Sequence, residues 1–418
     1  MSLTMRLRFP KPSPRRILWR TLQTWLSSVV VVVAGLMGTT KVRKLLRGKR
    51  NDGFPVTPPA TVSTPRGDAT TYTYGDDLYE DMLEAIESAR ERVFFESFIV
   101  KGDAMGHRFK TALEAAAARG VEVFVVYDAF ANMVVRPSFF RFAPSVHVLR
   151  YPANNAGLKP FSPRRWGRDH RKILVVDDRV GFLGGYNIGS LYATEWRDTH
   201  LRVTGSAVWD LANAFIDFWN MLVPDDPIPT SGSDDWDPRV RVHRNVPRQL
   251  VFPIRGMYLE AIDRAVRHIR ITAAYFIPDH DILDALLQAR RRGVEIEIIV
   301  PEISNHVVAD WLSRGFYGRL LREGVRIHRY KDAMVHAKTA TIDGRWTTIG
   351  TANIDRLSLS GNYEINLEIV DDGLAAHLEQ VFARDLSNCD ELTLAEWDRR
   401  WIVSRACELI LRPLGPLL

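Results

Sequence analysis

The pattern of apolar and polar positions divides most of the chain into two long segments of the same design. Asp77 to Arg90 carries apolar residues at helical spacing, and Val93 to Val100 is an apolar, strand-like run. A helix follows through Ala117, and Arg119-Gly120-Val121-Glu122-Val123-Phe124-Val125-Val126 leads into a second strand. The succession then returns. Met257 to Arg267 is helical, Ile269 to Ile277 strand-like and Ile282 to Arg291 helical, before Arg292-Gly293-Val294-Glu295-Ile296-Glu297-Ile298-Ile299. VHVLRY from Val146 is answered by VRIHRY from Val325. Strands alternating with helices predict parallel pairing, with helices on both faces of each sheet. The expected fold class is α/β, with two duplicated α/β/α sandwich domains at 76–223 and 238–390. Stretches rich in Pro, Thr, Gly or Asp at 51–75 and 224–237 read as linkers, and 391–418 reads as a C-terminal helix.

One apolar stretch stands outside this scheme. Thr21 to Gly38 holds no charged residue and includes the unbroken run Val29 to Val33, a length near the lower limit for crossing a bilayer. Charge sharpens the picture. Residues 1–50 contain no Asp or Glu but twelve basic residues: Arg6, Arg8, Lys11, Arg15, Arg16, Arg20, Lys41, Arg43, Lys44, Arg47, Lys49 and Arg50. This composition predicts a basic N-terminal membrane anchor with its apolar part at 21–38, attracted to anionic headgroups. Val32-Val33-Ala34 also fits a signal-peptidase site. Basic residues on both flanks leave the orientation unset. The rest of the chain holds 44 basic against 50 acidic residues, a poor balance for general nucleic-acid binding, so a membrane is the expected partner and nucleic acid is not. The two cysteines, Cys389 and Cys407, are placed in the last helical stretch and make neither a disulfide framework nor a zinc site.

The chemistry lies in a second level of repetition. His170, Lys172, Asp177, Gly184, Asn187 and Asp198 recur 166 residues later as His336, Lys338, Asp343, Gly350, Asn353 and Glu364, without a gap. A single His-x-Lys on a strand is more often surface decoration than catalysis, but two copies in one register, each followed by glycine and Asn, point to function. On an extended segment side chains two apart share a face, so each copy presents an imidazole and an ammonium together. Two His, two Lys and two Asn in one shared site suit phosphodiester chemistry. One His attacks phosphorus, and the other acts as acid and then base. Lys172, Lys338, Asn187 and Asn353 hold the phosphate oxygens. The acid 28 residues after each His, Asp198 or Glu364, accepts a bond from imidazole Nδ1 and fixes its tautomer. Asp177 and Asp343 complete the catalytic motif, yet their odd offset of seven from each His puts them on the other face or past the strand end and predicts structural support. The chemistry requires no metal and no cofactor.

These residues carry a resemblance. DHRKILVVDDRVGFLGGYNIGSLYATEWRDTHLRVTG and VHAKTATIDGRWTTIGTANIDRLSLSGNYEINLEI, with ITAAYFIPD from Ile271, resemble the phospholipase D superfamily and, within it, the bacterial cardiolipin synthases. Thr351, Ala274 and Leu357 depart slightly from the usual pattern, and the single apolar segment departs from relatives with two. The resemblance implies two phospholipase D-like domains with one shared active site, and attachment to the bacterial cell membrane. It implies transfer of a phosphatidyl group from phosphatidylglycerol to His170, release of glycerol, and attack by a second phosphatidylglycerol, with His336 as acid and base. Hydrolysis to phosphatidic acid is the alternative within this chemistry. A nuclease of the same fold and a catalytically inert lipid-binding module are the alternatives outside it.

Overall fold

The structure, a computed structural model, describes residues 14–47, 53–153, 167–230, 232–233 and 235–417. Arg6, Arg8, Lys11, Lys49 and Arg50 of the basic segment lie outside the described residues. The first described element is the 34-residue helix α1 (Pro14–Arg47). The first half comprises β1 (Ala60–Thr64), β2 (Gly67–Tyr72), α2 (Gly75–Glu87), β3 (Arg92–Ser97), α3 (Ala104–Ala118), β4 (Glu122–Asp128) and β5 (Val146–Tyr151). It continues with β6 (Lys172–Val176), β7 (Val180–Gly184), α4 (Ser190–Thr194), β8 (Trp196–Arg197), β9 (His200–Thr204) and α5 (Ala207–Leu222). The second half comprises β10 (Val240–Asn245), α6 (Pro253–Arg264), β11 (His268–Ala273), α7 (His280–Arg291), β12 (Glu295–Pro301), α8 (Val307–Arg322) and β13 (Arg326–Tyr330). After these come β14 (Met334–Val335), β15 (Lys338–Ile342), β16 (Trp346–Gly350), α9 (Arg356–Ser360), β17 (Glu364–Val370), α10 (Asp372–Leu386), β18 (Cys389–Leu392), α11 (Leu394–Asp398) and α12 (Ile402–Leu411).

Each half forms an eight-stranded sheet, in the orders β1-β2-β9-β7-β6-β3-β4-β5 and β10-β17-β16-β15-β11-β12-β13-β18. The second order repeats the first from β2 onward, so the duplication seen in sequence is a duplication of topology. The sheets are mixed, not parallel throughout as the alternation predicts. Only β3-β4-β5 and β11-β12-β13 run parallel. The remaining neighbours are antiparallel; in β6–β7 and β15–β16 a three-residue turn after Val176 or Ile342 folds the motif strand back on itself, and a tight turn can join only antiparallel strands.

Two further expectations are corrected. The stretch 51–75 is not a plain linker, because β1 and β2 form a hairpin at 60–72 that extends the first sheet through β9. Its Thr, Val and Tyr residues favour strands, and Gly67, at φ 127°, makes the turn where a Cβ would strike Thr204 O. The stretch 391–418 is not one helix. It holds the end of β18, then α11, then α12, with the break at Trp401 in extended backbone. Cys389 therefore opens a strand, and only Cys407 lies in a helix.

The halves share a core. Phe215, Phe218 and Trp219 of α5 and Leu374 and Leu378 of α10 pack in one cluster with Ile173, Leu183 and Leu201 of the first sheet and Ile349, Ile365 and Leu367 of the second. Close to each motif strand, an aspartate ties down a turn. Asp177 accepts from the backbone N–H groups of Arg90, Glu91 and Arg92 at 2.8–2.9 Å, and Asp343 from those of Val266, Arg267 and His268 at 2.7–2.9 Å. Burial alone would raise both carboxyls, but these N–H groups hold them below the usual range. Asp177→Ala leaves three backbone donors unmatched, and the expected loss is about 1–3 kcal/mol of stability. A thermal melt of the variant should show the lowered midpoint, with turnover per folded molecule retained. An unchanged midpoint with lost turnover would place Asp177 in the chemistry.

Candidate active site

The repeat spacing brings the two motifs to one place through contacts between the halves. β14 of the second half pairs in parallel with β8 of the first, Met334 with Trp196 and Val335 with Arg197. Asp169 of the first half bridges in parallel to Tyr363 of the second. Each bridge lies immediately before a motif histidine. The His170 N–H then donates to Tyr363 O at 3.0 Å, and the His336 N–H to Arg197 O at 2.6 Å. Arg197, fully buried, also donates to Asp385 of α10 at 2.7 and 2.8 Å.

The acids serve the opposite histidines. His170 Nδ1 lies 2.9 and 3.0 Å from the Glu364 oxygens, and His336 Nδ1 lies 2.6 Å from Asp198 Oδ2. The 28-residue offset in sequence places each acid in the same copy as one histidine; the fold gives it to the other. Bonding through Nδ1 turns each Nε2 toward chemistry. Burial drives both imidazoles to the neutral form, with the neighbouring lysines adding to the effect. His170 is lowered well below the usual range and His336 to about 3.

Both histidines, Asn187 and Asn353 line one cavity of about 830 Å³. Asn187 accepts from Ile99 N–H at 3.2 Å, while the buried Asn353 Oδ1 finds no partner among the described residues. Lys172 and Lys338 are buried behind the lining. Lys172 Nζ donates to His170 O at 2.7 Å, and Lys338 Nζ donates to His336 O and lies 2.9–3.2 Å from its ring nitrogens. Burial lowers them to about 7 and about 8, against the attraction of Glu364 and Asp198. Asp177 and Asp343 are not in the cavity lining.

The surroundings of the two acids differ. Burial works to raise Asp198, but Lys338 and His336 outweigh it and hold it below the usual carboxylate range. Burial raises Glu364 to about 8, offset in part by Lys172. Thr351 donates to Glu364 at 2.5 Å, whereas the matching position in the first half is Gly185. Asp355 also lines the cavity, caps α9 through the Ser358 N–H at 2.7 Å and is raised by burial to about 7. It answers Gly189 in the first half. Sequence comparison missed Asp355 because only matched positions were counted, although the mismatch was itself the signal. It also missed Phe98 and Trp196, whose rings lie 4.7 Å from His170 and 5.0 Å from His336.

A Cβ at Gly185 would sit 2.1 Å from Asp198 Oδ1, so the carboxylate reaches His336 only because that residue is glycine. Gly185→Ala should displace Asp198 and lower kcat on the order of 100-fold or more, the scale expected when an imidazole loses the carboxylate that sets its tautomer. Circular dichroism of the variant separates this from misfolding. A folded variant with full turnover would show that the Asp198 bond is dispensable.

The family model described as "Cardiolipin synthase, PLD-like domain" matches residues 82–219 and 258–386. A cardiolipin synthase of Clostridium perfringens is 30% identical over 379 residues, covering 85% of this chain and 78% of its own. The major cardiolipin synthase of Bacillus subtilis is 32% identical over 361 residues, covering 83% and 74%. Among solved structures, the phosphatidylserine synthase of Haemophilus influenzae shares the fold, with a TM-score of 0.65 at 14% identity over 86% of this chain and 95% of that one. With two matched domains that span most of the residues between them, and relatives at this identity, the chain belongs to the phospholipase D superfamily, in its bacterial cardiolipin synthase branch.

Proposed function

We propose that this phospholipase D-type transferase joins two phosphatidylglycerol molecules into cardiolipin at the membrane, with release of glycerol. The observation that carries the reading is the pair of imidazoles on one cavity, each bonded through Nδ1 to a buried acid of the other half. His170 Nε2 attacks phosphorus of the first phosphatidylglycerol. The P–O bond to the headgroup glycerol breaks as a proton on His336 Nε2 passes to the departing oxygen. The anionic phosphodiester favours that protonated imidazole once bound. His336 then takes the proton of a hydroxyl on the second phosphatidylglycerol, whose oxygen attacks phosphorus and breaks the P–N bond. Asn187 and Asn353 meet the phosphate oxygens, and the two lysines supply positive charge from behind.

A second assignment exchanges the histidines. Asp198 is held ionised and makes the shorter bond, which puts the His336 lone pair on Nε2, 3.2 Å from Lys338 Nζ, whereas the raised Glu364 suits a His170 that gives a proton. Acid quenching during turnover and mapping of the phosphohistidine to the peptide of residue 170 or 336 decides between the two.

Helix α1 supports the membrane setting. Leu18–Val42 is long enough to cross a bilayer, and its apolar 18-residue window has a mean hydropathy of 1.6. The residue choice in the cavity leaves acceptor selection to the exclusion of water, so the products are the test. Purified full-length protein with labelled phosphatidylglycerol should yield cardiolipin and glycerol; phosphatidic acid alone would replace synthesis by hydrolysis. His170→Ala and His336→Ala should each lower turnover on the order of 10³-fold or more, and an active His336→Ala enzyme would sink the two-histidine site. The lowered lysines are charged below about pH 7 and lose that charge as pH rises through about 7 to 8. The kcat/KM profile should therefore fall on its alkaline side across that range, and a flat profile to pH 9 would remove the lysines from phosphate binding.

A further inference from the structure

Helix α1 does more in this structure than its length requires. Trp25, Val29, Val32 and Leu36 recur at helical spacing and turn one stripe toward the body. Val29, Val32, Val33 and Leu36 pack with Ile277, Ala309, Leu312 and Leu411, and the Trp25 indole N–H donates to Ile410 O at 3.0 Å. One turn further along, Val33 and Met37 line the same cavity as His170 and His336. Leu22, Leu26 and Val30 remain exposed.

The cavity thus has two unlike sides. One is the phosphate chemistry of the histidines and asparagines. The other is apolar: Val33 and Met37 of α1, with Val307, Val308 and Ala309 at the start of α8. At the rim, Met37, Phe130 and Leu357 are 58%, 51% and 41% exposed, large apolar side chains left facing outward at a lined opening. A volume of about 830 Å³ is that of a site for one drug-sized molecule. Phosphates and headgroups fit such a space, but the acyl chains of a phospholipid do not, so they must leave it. The side built from α1 is an apolar way out.

We infer that α1 is a wall of the acyl-chain path: the tails of the bound phospholipid leave the catalytic cavity along the face of α1 that bears Val33 and Met37. The helix then guides substrate between bilayer and active site and is not only a tether. This rests on the reading of the substrate as a phospholipid.

The test uses full-length protein in detergent micelles with dioleoyl and dihexanoyl phosphatidylglycerol. Val33→Trp/Met37→Trp narrows the path, and Val30→Trp adds the same bulk on the outer face. The ratio of kcat/KM for the long-chain over the short-chain lipid should fall at least about fivefold in the double variant and stay unchanged in Val30→Trp. An unchanged ratio, including an equal fall for both lipids, overturns the inference. A second measurement does not depend on how the variant folds. Wild-type protein is photolysed with phosphatidylglycerol carrying a diazirine at mid-chain. Adducts at Val33 and Met37 should be suppressed by excess dihexanoyl phosphatidylglycerol; adducts that persist at full yield come from bulk lipid and overturn the wall. Wild-type enzyme that releases only phosphatidic acid ends the transferase reading while the ratio, read on hydrolysis, still judges the wall. Inactivity on both lipids ends both readings.

Discussion

The hydrogen bond from each histidine to a carboxylate of the opposite half is the constraint on which the rest of the structure depends. Asp198 and Glu364 are almost completely buried, and a buried carboxylate is costly unless it is paired and bonded. Each pair therefore demands that two segments more than 130 residues apart meet within a few tenths of an ångström. The fold meets the demand with backbone. Parallel bridges fix the residue before each histidine, Arg197 joins Asp385 across the halves, and α5 and α10 close one apolar core between the sheets. The geometry of the site and the joining of the halves are one problem with one solution.

Near-symmetry does not make the two sides equal. The lysines, asparagines and histidines match, but the residues behind them do not. Thr351 bonds Glu364 where Gly185 lets Asp198 approach, and Asp355 enters the cavity where Gly189 has no side chain. The two acids also depart from their ordinary values in opposite directions: burial raises Glu364 against the pull of Lys172, while burial of Asp198 is outweighed by Lys338 and His336. Separation of paired titratable groups is the usual physical basis for giving one an acid's task and the other a nucleophile's.

Much of this was legible in the chain, and what was not has definite causes. The 166-residue register shows in sequence because it pairs residues of scarce type, His and Lys, at fixed spacing. The duplicated sandwich follows from the repeated helix–strand rhythm, but that rhythm predicts parallel pairing in general and apolar runs carry no direction, so the antiparallel β6–β7 and β15–β16 pairs are not marked in the sequence. The β1–β2 hairpin was hidden by its Pro, Thr and Gly content, the same residues that mark a loop. Which histidine each acid serves was beyond reach, because a separation of 28 residues says nothing about the 194 and 138 that actually join them. Composition likewise marks α1 as apolar without saying which of its stripes meets the body, so Val33 and Met37 could not be placed at the cavity.

The bridges before His170 and His336 are related in a further way. Each takes a segment of one half to the equivalent place on the other, and each acid crosses in the same sense. That reciprocity is the signature of an isologous contact, in which residue i meets j and j meets i. A single half could reach the same site only as a two-fold dimer, and every substitution would then appear twice. Joined in one chain, the copies are free to diverge at a single position, which is how a glycine on one side can face a threonine or an aspartate on the other.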